Sequence, residues 1–217
     1  MTYLKLLLIR HAQSLGNAAL QMEGQGSTAL SALGRQQAQR LAAALLRSER
    51  PTHCYSSPLL RSRQTAAALT AAYPPLTVTL ADPLQELHAG ILQGLTWAEA
   101  TVRYPDLCQR LMQQLDYWPV PQAEPLSAGR ARAQRWLTDC LKQHQPGDVI
   151  WAVSHAGLMQ HLIAAVLGCD RTWQIPIQHT AVFEFWLAQT AWTASDRNRF
   201  NPEFWQIRRF NDTAHLL

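Results

Sequence analysis

The sequence reads as an α/β chain organised on an open sheet, on three observations. Leu6-Leu7-Leu8-Ile9 and Val149-Ile150-Trp151-Ala152-Val153 are unbroken apolar runs of strand length, as expected of strands buried on both faces. Both runs end on residues that carry chemistry, Arg10-His11 and Ser154-His155. Between and after them, segments with the apolar stripe of an amphipathic helix alternate with shorter strand-like pieces.

Taken in order, Leu6–Ile9 leads into a polar stretch closed by Gly16-Asn17, as in a loop wrapped around something. Gly24 to Thr28 is a small, polar turn. Ser31 caps a helix whose stripe, within Gly34 to Arg47, is Ala38, Leu41, Ala42 and Leu45. His53 to Ser56 is a short strand, and Ser57 to Thr65 opens a helix with Pro58 at its first position. Leu76 to Leu80 alternates apolar and polar, as a strand near a sheet edge does. From Trp97 to Pro125 periodicity is lost among Tyr104, Trp118 and several prolines, which reads as helical lid material within an insertion around 88–125. Ala128 to His144 is a helix with Trp136, Leu137, Cys140 and Leu141 on one face, and Leu158 to Leu167 is another, with His161 an ordinary residue on it. Thr180 to Leu187 and Phe204 to Phe210 are closing strands, joined through a loop from Ala188 to Pro202. Nothing splits residues 1–217 into two domains, and 217 residues are enough for a substantial core.

Bulk properties narrow the class. A hydrophobic content of 47% excludes disorder. The net charge of +4 suits anionic ligands, but no basic run or basic-aromatic alternation marks a nucleic-acid binder. Cys54, Cys108, Cys140 and Cys169 are scattered, as reduced thiols of a cytoplasmic protein are. The apolar start is too short, and broken too early by Arg10, to be a signal peptide or a membrane span. An exposed edge strand or the tryptophan-rich last third offers a surface for a homodimer.

The strand ends carry the chemistry. A neutral imidazole whose second nitrogen is held by a hydrogen bond is a nucleophile toward phosphorus, and the charge of Arg10 disfavours protonation of His11. Arg10 is also a planar fork suited to phosphate oxygens. Arg61 sits in the first turns of a helix where an arginine opposes the helix dipole, so its presence asks for a reason, and Arg63 is the plain exposed alternative. Glu86 follows a strand, and a carboxyl group there protonates a leaving alkoxide if burial raises its pKa. Gly90 and Gly94 imply a loop lying close to another backbone. His155 repeats the placement of His11, and two strands ending in histidine favour function over packing.

In order, these pieces resemble the motifs of the histidine phosphatase (phosphoglycerate mutase-like) superfamily from Tyr3 to the end of the chain. Arg10-His11-Ala12 with Asn17 matches the first, Ser57 to Ala66 the second (Ser-Pro-Leu-x-Arg-x-x-Gln-Thr-Ala), Glu86 to Gly94 the third and Ser154-His155-Ala156-Gly157 the fourth. Ala12 stands where the family usually has glycine, which is tolerable if the backbone avoids positive φ. Gln93 replaces a frequent glutamate, and Glu124 to Arg132 matches the family's Gly-Glu-Ser segment only loosely.

The resemblance implies a three-layer α/β sandwich with a mostly parallel central sheet and a site at the strands' C-terminal ends. It implies a metal-independent phosphomonoester hydrolase without a cofactor. His11 is then the nucleophile that becomes phosphohistidine. Arg10, Arg61, a protonated His155 and Asn17 bind the phosphate, and Glu86 is the acid and base. A cofactor-dependent phosphoglycerate mutase is the alternative. Mutases of the family carry an Arg-Arg pair in the lid, whereas here Gln113-Gln114 stands there with only Arg103 and Arg110 nearby. A catalytically silent phosphate-binding module is a third reading, against which all catalytic positions are retained. Sugar phosphates, phosphoserine, the nucleotide-loop phosphate of cobalamin synthesis and a broad range all remain open as substrates. The tail from Asn211 to Leu217 brings His215 toward the pocket or packs on the sheet edge.

Overall fold

The computed structural model describes residues 2–47, 50–114, 119–169, 171–172, 174–188 and 203–217. Its strands are β1 (Leu4–Arg10), β2 (His53–Ser56), β3 (Val78–Leu80), β4 (Val149–Ser154), β5 (Val182–Leu187) and β6 (Trp205–Asp212). The helices are α1 (Leu15–Ala18), α2 (Ala32–Leu45), α3 (Leu60–Thr70), α4 (Trp97–Arg103), α5 (Pro105–Gln113), α6 (Leu126–Gln143) and α7 (Ala156–Leu167). One six-stranded sheet takes the order β3-β2-β4-β1-β5-β6. β1, β2, β3 and β4 are mutually parallel, and β5 alone runs against its neighbours β1 and β6.

The apolar run of β1 has no polar face because both of its faces are covered. Leu4, Leu6 and Leu8 join the core under α6 and α7, while Leu7 and Ile9, pointing the other way, join the core under α2 and α3. In β4, Ile150 and Ala152 face the first layer and Val149, Trp151 and Val153 the second. The three-layer sandwich follows from that division. Each buried Leu or Ile contributes roughly 1.5–3 kcal/mol through the area it removes from water.

The local signals acted mostly as read. Ser31 caps α2 by accepting the Gly34 N–H at 2.9 Å. Pro58, however, is not the first helical residue: α3 starts at Leu60 with Leu59, in extended backbone, as its N-cap, while the Ser57 N–H still bonds to the Val153 carbonyl at 3.0 Å. The strand at Leu76 is shorter than expected, since the Leu76 N–H bonds back to Tyr73 at 2.7 Å in a turn and leaves only Val78–Leu80 for the ladder. It lies at a sheet edge as expected. The connection read as loop falls, beyond Ala188, outside the described residues, as does Trp118. α4 and α5 carry a small core of their own, Leu92, Ala100, Cys108 and Val120, separate from the two main ones. Gly90, at φ +60°, lies against the backbone of Pro121 and Ala123 as predicted. Gly94, at φ +81°, also lies against another backbone, its N–H donating to the Met22 carbonyl at 2.8 Å, but a side chain there would meet nothing, so the glycine itself answers a conformational need. No helix among the described residues is long and apolar enough to cross a membrane.

Candidate active site

Parallel register brings the chemical residues to one edge. Arg10 pairs with Ser154 and Ser56 with Val153, so β1, β2 and β4 all end at the same level. His11 and His155 leave adjacent strands with ring centroids 4.9 Å apart. Glu86 arrives through the turn after β3, which Ser154 anchors by donating its hydroxyl to the Leu84 carbonyl at 2.8 Å.

His11 is 3% exposed. Its Nδ1 lies 2.7 Å from the Ala12 carbonyl, which only accepts, so Nδ1 carries the proton and Nε2 the lone pair. Nε2 accepts from Arg61 Nε at 3.2 Å. Burial, reinforced by the charges of Arg61 and Arg10, holds the ring well below the usual imidazole range. Ala12 causes no strain, since it is not among the described non-glycine residues at positive φ.

Arg61, 1% exposed, also donates to the carbonyls of Gly26 and, at 2.8 Å, Gly24, so the turn over the site closes on it. Its counter-charge is buried Glu23, with Oε2 at 3.6 Å from Nε. Glu23 in turn accepts hydroxyl bonds from Ser14 (2.5 Å) and Thr28. Glu23 escaped the sequence reading because nothing local marks a carboxylate nine residues beyond the capping Ser14. Arg63 is exposed, as expected of the plain arginine.

His155 stands beside His11, directly after β4. It is fully buried beside His11, Arg61, Arg10 and Arg132, and burial first, then those neighbours, push its pKa well below the usual value. Nε2 faces two hydroxyls, Ser57 at 2.8 Å and Ser62 at 3.2 Å, and a serine proton donated there leaves the ring proton on Nδ1. Nδ1 of His155 and Nε of Arg10 are buried and have no hydrogen-bond partner among the described residues. Arg10 NH1 is held by the Ile177 carbonyl at 2.6 Å.

The Glu86 carboxylate accepts the N–H of Leu87 (2.9 Å), Gly157 (3.0 Å) and Leu158 (2.8 Å), the last two from the first turn of α7. A side chain at Gly157 would meet Glu86 Oε1 at 2.6 Å, which explains the glycine. Arg132 organises this segment. It forms a two-bond pair with Glu124 (3.0 and 2.7 Å) and donates to the carbonyls of Pro83 and Gln85 at 2.8 and 2.7 Å. The loose match of Glu124 to Arg132 thus hides a clamp on Glu86.

Asn17 reaches the site from α1, and its Oδ1 accepts from His179 Nε2 at 3.0 Å. His179, whose ring centroid lies 6.2 Å from that of His11, has its pKa pushed down to about 4 by burial and by Arg10. The sequence reading passed over it, because only the antiparallel pairing of β5 with β1 brings the start of β5 beside His11. The adjacent Thr180 sits at φ +59°, rare for a β-branched residue. It donates to the His179 carbonyl at 2.6 Å and accepts from His215 Nε2 at 2.8 Å. The tail therefore braces the loop that carries His179, and it also packs on α2, where Arg40 donates to the Leu216 carbonyl at 2.9 Å.

Buried imidazoles and guanidiniums at the C-terminal edge of a parallel sheet define an α/β protein equipped to handle a phosphoryl group. The chain belongs to the histidine phosphatase superfamily (branch 1), whose profile matches residues 6–212. It is 30% identical over 158 residues to a metal-independent phosphoserine phosphatase of Arabidopsis thaliana, covering 72% of this chain and 66% of that protein. It is 28% identical over 215 residues to phosphoglycerate mutase-like protein 4 of the same plant, covering 99% and 87%. The fold matches that of YhfR from Bacillus stearothermophilus at a TM-score of 0.81 and 20% identity, over 98% of this chain and 99% of the other.

Proposed function

We propose that this chain hydrolyses small phosphomonoesters through a phosphohistidine on His11, without a catalytic metal. One observation carries the reading: the bond from Nδ1–H to the Ala12 carbonyl sets the His11 tautomer, and the lone pair of Nε2 sits beside Arg61. Nε2 attacks phosphorus in line while the ester P–O bond breaks, and a protonated Glu86 delivers its proton to the departing oxygen. Water then attacks the phosphohistidine, Glu86 takes the water's proton, and phosphate leaves with His11 neutral again. Arg10 and Arg61 supply positive charge to the equatorial oxygens. Buried polar atoms are rarely left without partners, so Nε of Arg10 and Nδ1 of His155 are suited to bind those oxygens too. The dianion's charge offsets the neighbouring guanidiniums and restores proton affinity to His155, and Asn17 adds a neutral donor through its amide nitrogen.

Similarity to a metal-independent phosphoserine phosphatase supports hydrolysis with protein groups alone. Similarity to mutase-like proteins keeps isomerisation as the second reading. The lid's Arg103 and Arg110 line a cleft with Ile91, Tyr104 and Pro121, and none of His11, Arg61 or His155 borders it. That argues against a second phosphate site facing His11. The four free cysteines, three of them buried, support a reducing, cytoplasmic setting. The deciding experiment measures phosphate release in EDTA from para-nitrophenyl phosphate, phosphoserine, sugar phosphates and 3-phosphoglycerate, the last also assayed for isomerisation with its bisphosphate primer. Hydrolysis is expected to dominate. Faster isomerisation makes the protein a mutase, and neither activity in a folded, vanadate-binding chain makes it a binding module.

Arg132 acts through Glu86. Replacing it with Leu lowers kcat/KM for an alkyl phosphate such as phosphoserine by about 10- to 100-fold, since a misplacement near 1 Å costs that much. Para-nitrophenyl phosphate, whose phenolate departs without a proton, loses far less. An equal loss on both substrates would show that Arg132 supports the fold only.

A further inference from the structure

A second cluster lies at the opposite end of the sheet. His53 begins β2, Asp148 immediately precedes β4 and His144 is the C-cap of α6, so all three sit where the parallel strands start, while the phosphoryl chemistry sits where they end. One ligand atom from each of His53, His144 and Asp148 lies within 4.8 Å of the other two. The two imidazole centroids are 4.3 Å apart, and His144 Nδ1 is 3.4 Å from Asp148 Oδ2. We propose that these three residues bind a divalent transition-metal ion of the zinc type, as a structural site separate from catalysis.

Hydrogen bonding around the cluster orients the donors for this. Thr52 Oγ1 accepts the Val149 N–H at 3.0 Å and lies within hydrogen-bond reach of the Val149 carbonyl at 3.2 Å. The same hydroxyl holds His53 Nδ1 at 2.8 Å. With Nδ1 engaged by Thr52, Nε2 is the His53 nitrogen left for an ion. His144 has Nε2 against the Tyr55 hydroxyl at 2.9 Å and turns Nδ1 to Asp148. Each imidazole thus has its second nitrogen tied to a hydroxyl, the support that metal-ligating histidines regularly have. Asp148 is held in the turn between α6 and β4, its Oδ2 also accepting the Gln145 N–H at 3.0 Å.

Two imidazoles and a carboxylate suit zinc. Tetrahedral ligands at zinc bond lengths stand roughly 3.3 Å apart, so the widest separation closes by about 1.5 Å of side-chain movement. His53 and Asp148 are only partly buried, the Asp148 side chain being 14% exposed, so the site reaches solvent and leaves the fourth position to water. In the metal-bound form the single ring proton of neutral His144 sits on Nε2, where it is donated to the Tyr55 hydroxyl, and the Nδ1 lone pair goes to the ion. The ion then ties the start of β2 to the α6–β4 turn and stabilises the folded chain by binding it in preference to the unfolded one.

The test uses the full-length, tag-free, metal-stripped protein. Zinc is titrated calorimetrically, cobalt serves as a spectroscopic probe and thermal melting is followed with and without each ion. Wild type binds one zinc per chain, gives the visible bands of tetrahedral cobalt and melts several degrees higher with zinc. His53→Gln and Asp148→Asn each lower zinc affinity at least 10- to 100-fold and lose the melting shift, yet fold and hydrolyse phosphomonoesters as wild type does. No zinc binding by the wild type overturns the proposal, and so does equal binding by His53→Gln, which marks an adventitious site such as Cys169. Because the readouts are binding and melting, failure here leaves the reading of the phosphatase site untouched.

Discussion

Replacing His11 with Ala lowers kcat for phosphomonoester hydrolysis by about 10⁴-fold or more, the scale on which removing a covalent nucleophile acts. The fold survives, because the ring is a burden to it: a buried imidazole is held beside two guanidiniums that depress its pKa. Its loss leaves the melting temperature equal or raised, as when other strained functional groups are removed. Acid-quenched wild type retains label from a radioactive substrate on histidine, and the variant retains none. An activity within tenfold of wild type in the variant would disprove the phosphohistidine route, and label on another residue would relocate it.

Arg61 carries the second large effect, with two separable parts. Arg61→Met reduces kcat/KM by about 10³-fold, since a preorganised charge on the transferring phosphoryl group is worth that much in a water-poor site. It also destabilises the fold by about 3–5 kcal/mol, because Glu23 is left as a buried charge without its counter-ion and the carbonyls of Gly24 and Gly26 lose their donors. Adding Glu23→Gln returns much of the stability and none of the activity. Arg61→Lys keeps the charge and loses the fork, so it falls between the two. Denaturant melts and steady-state kinetics on the three variants separate the parts. A single loss of activity, fully restored by Glu23→Gln, would reduce Arg61 to a packing residue.

Much of this was legible because some signals are local. Unbroken apolar runs declared β1 and β4 as strands covered on both faces, since only a two-sided core makes such a run favourable. Arg10, His11, Arg61, Glu86 and His155 announced themselves by standing at strand exits or helix starts, where burial without a purpose is costly. Their order along the chain carried the family. Ser31 capped its helix because a side-chain oxygen acts within three residues, a range that pattern reading covers.

What eluded pattern reading depends on segments distant in sequence meeting in space. Glu23 becomes the counter-ion of Arg61 across thirty-eight residues, and Arg132 clamps Glu86 across forty-six. His179 reaches His11 only because β5 pairs antiparallel with β1, and no residue in either strand encodes that direction by itself. The proton affinity of His155 depends on the same kind of meeting: it is set by full burial among three arginines and another histidine, which reach it from three stretches of the chain (10–11, 61 and 132). Sequence alone determined the strands, the catalytic candidates and the family, because propensity, capping and apolar periodicity act over a few residues. Tertiary structure alone decided which charges meet, which imidazoles lose proton affinity and which residues hold the candidate catalytic ones in place, because electrostatics and burial depend on distance through space.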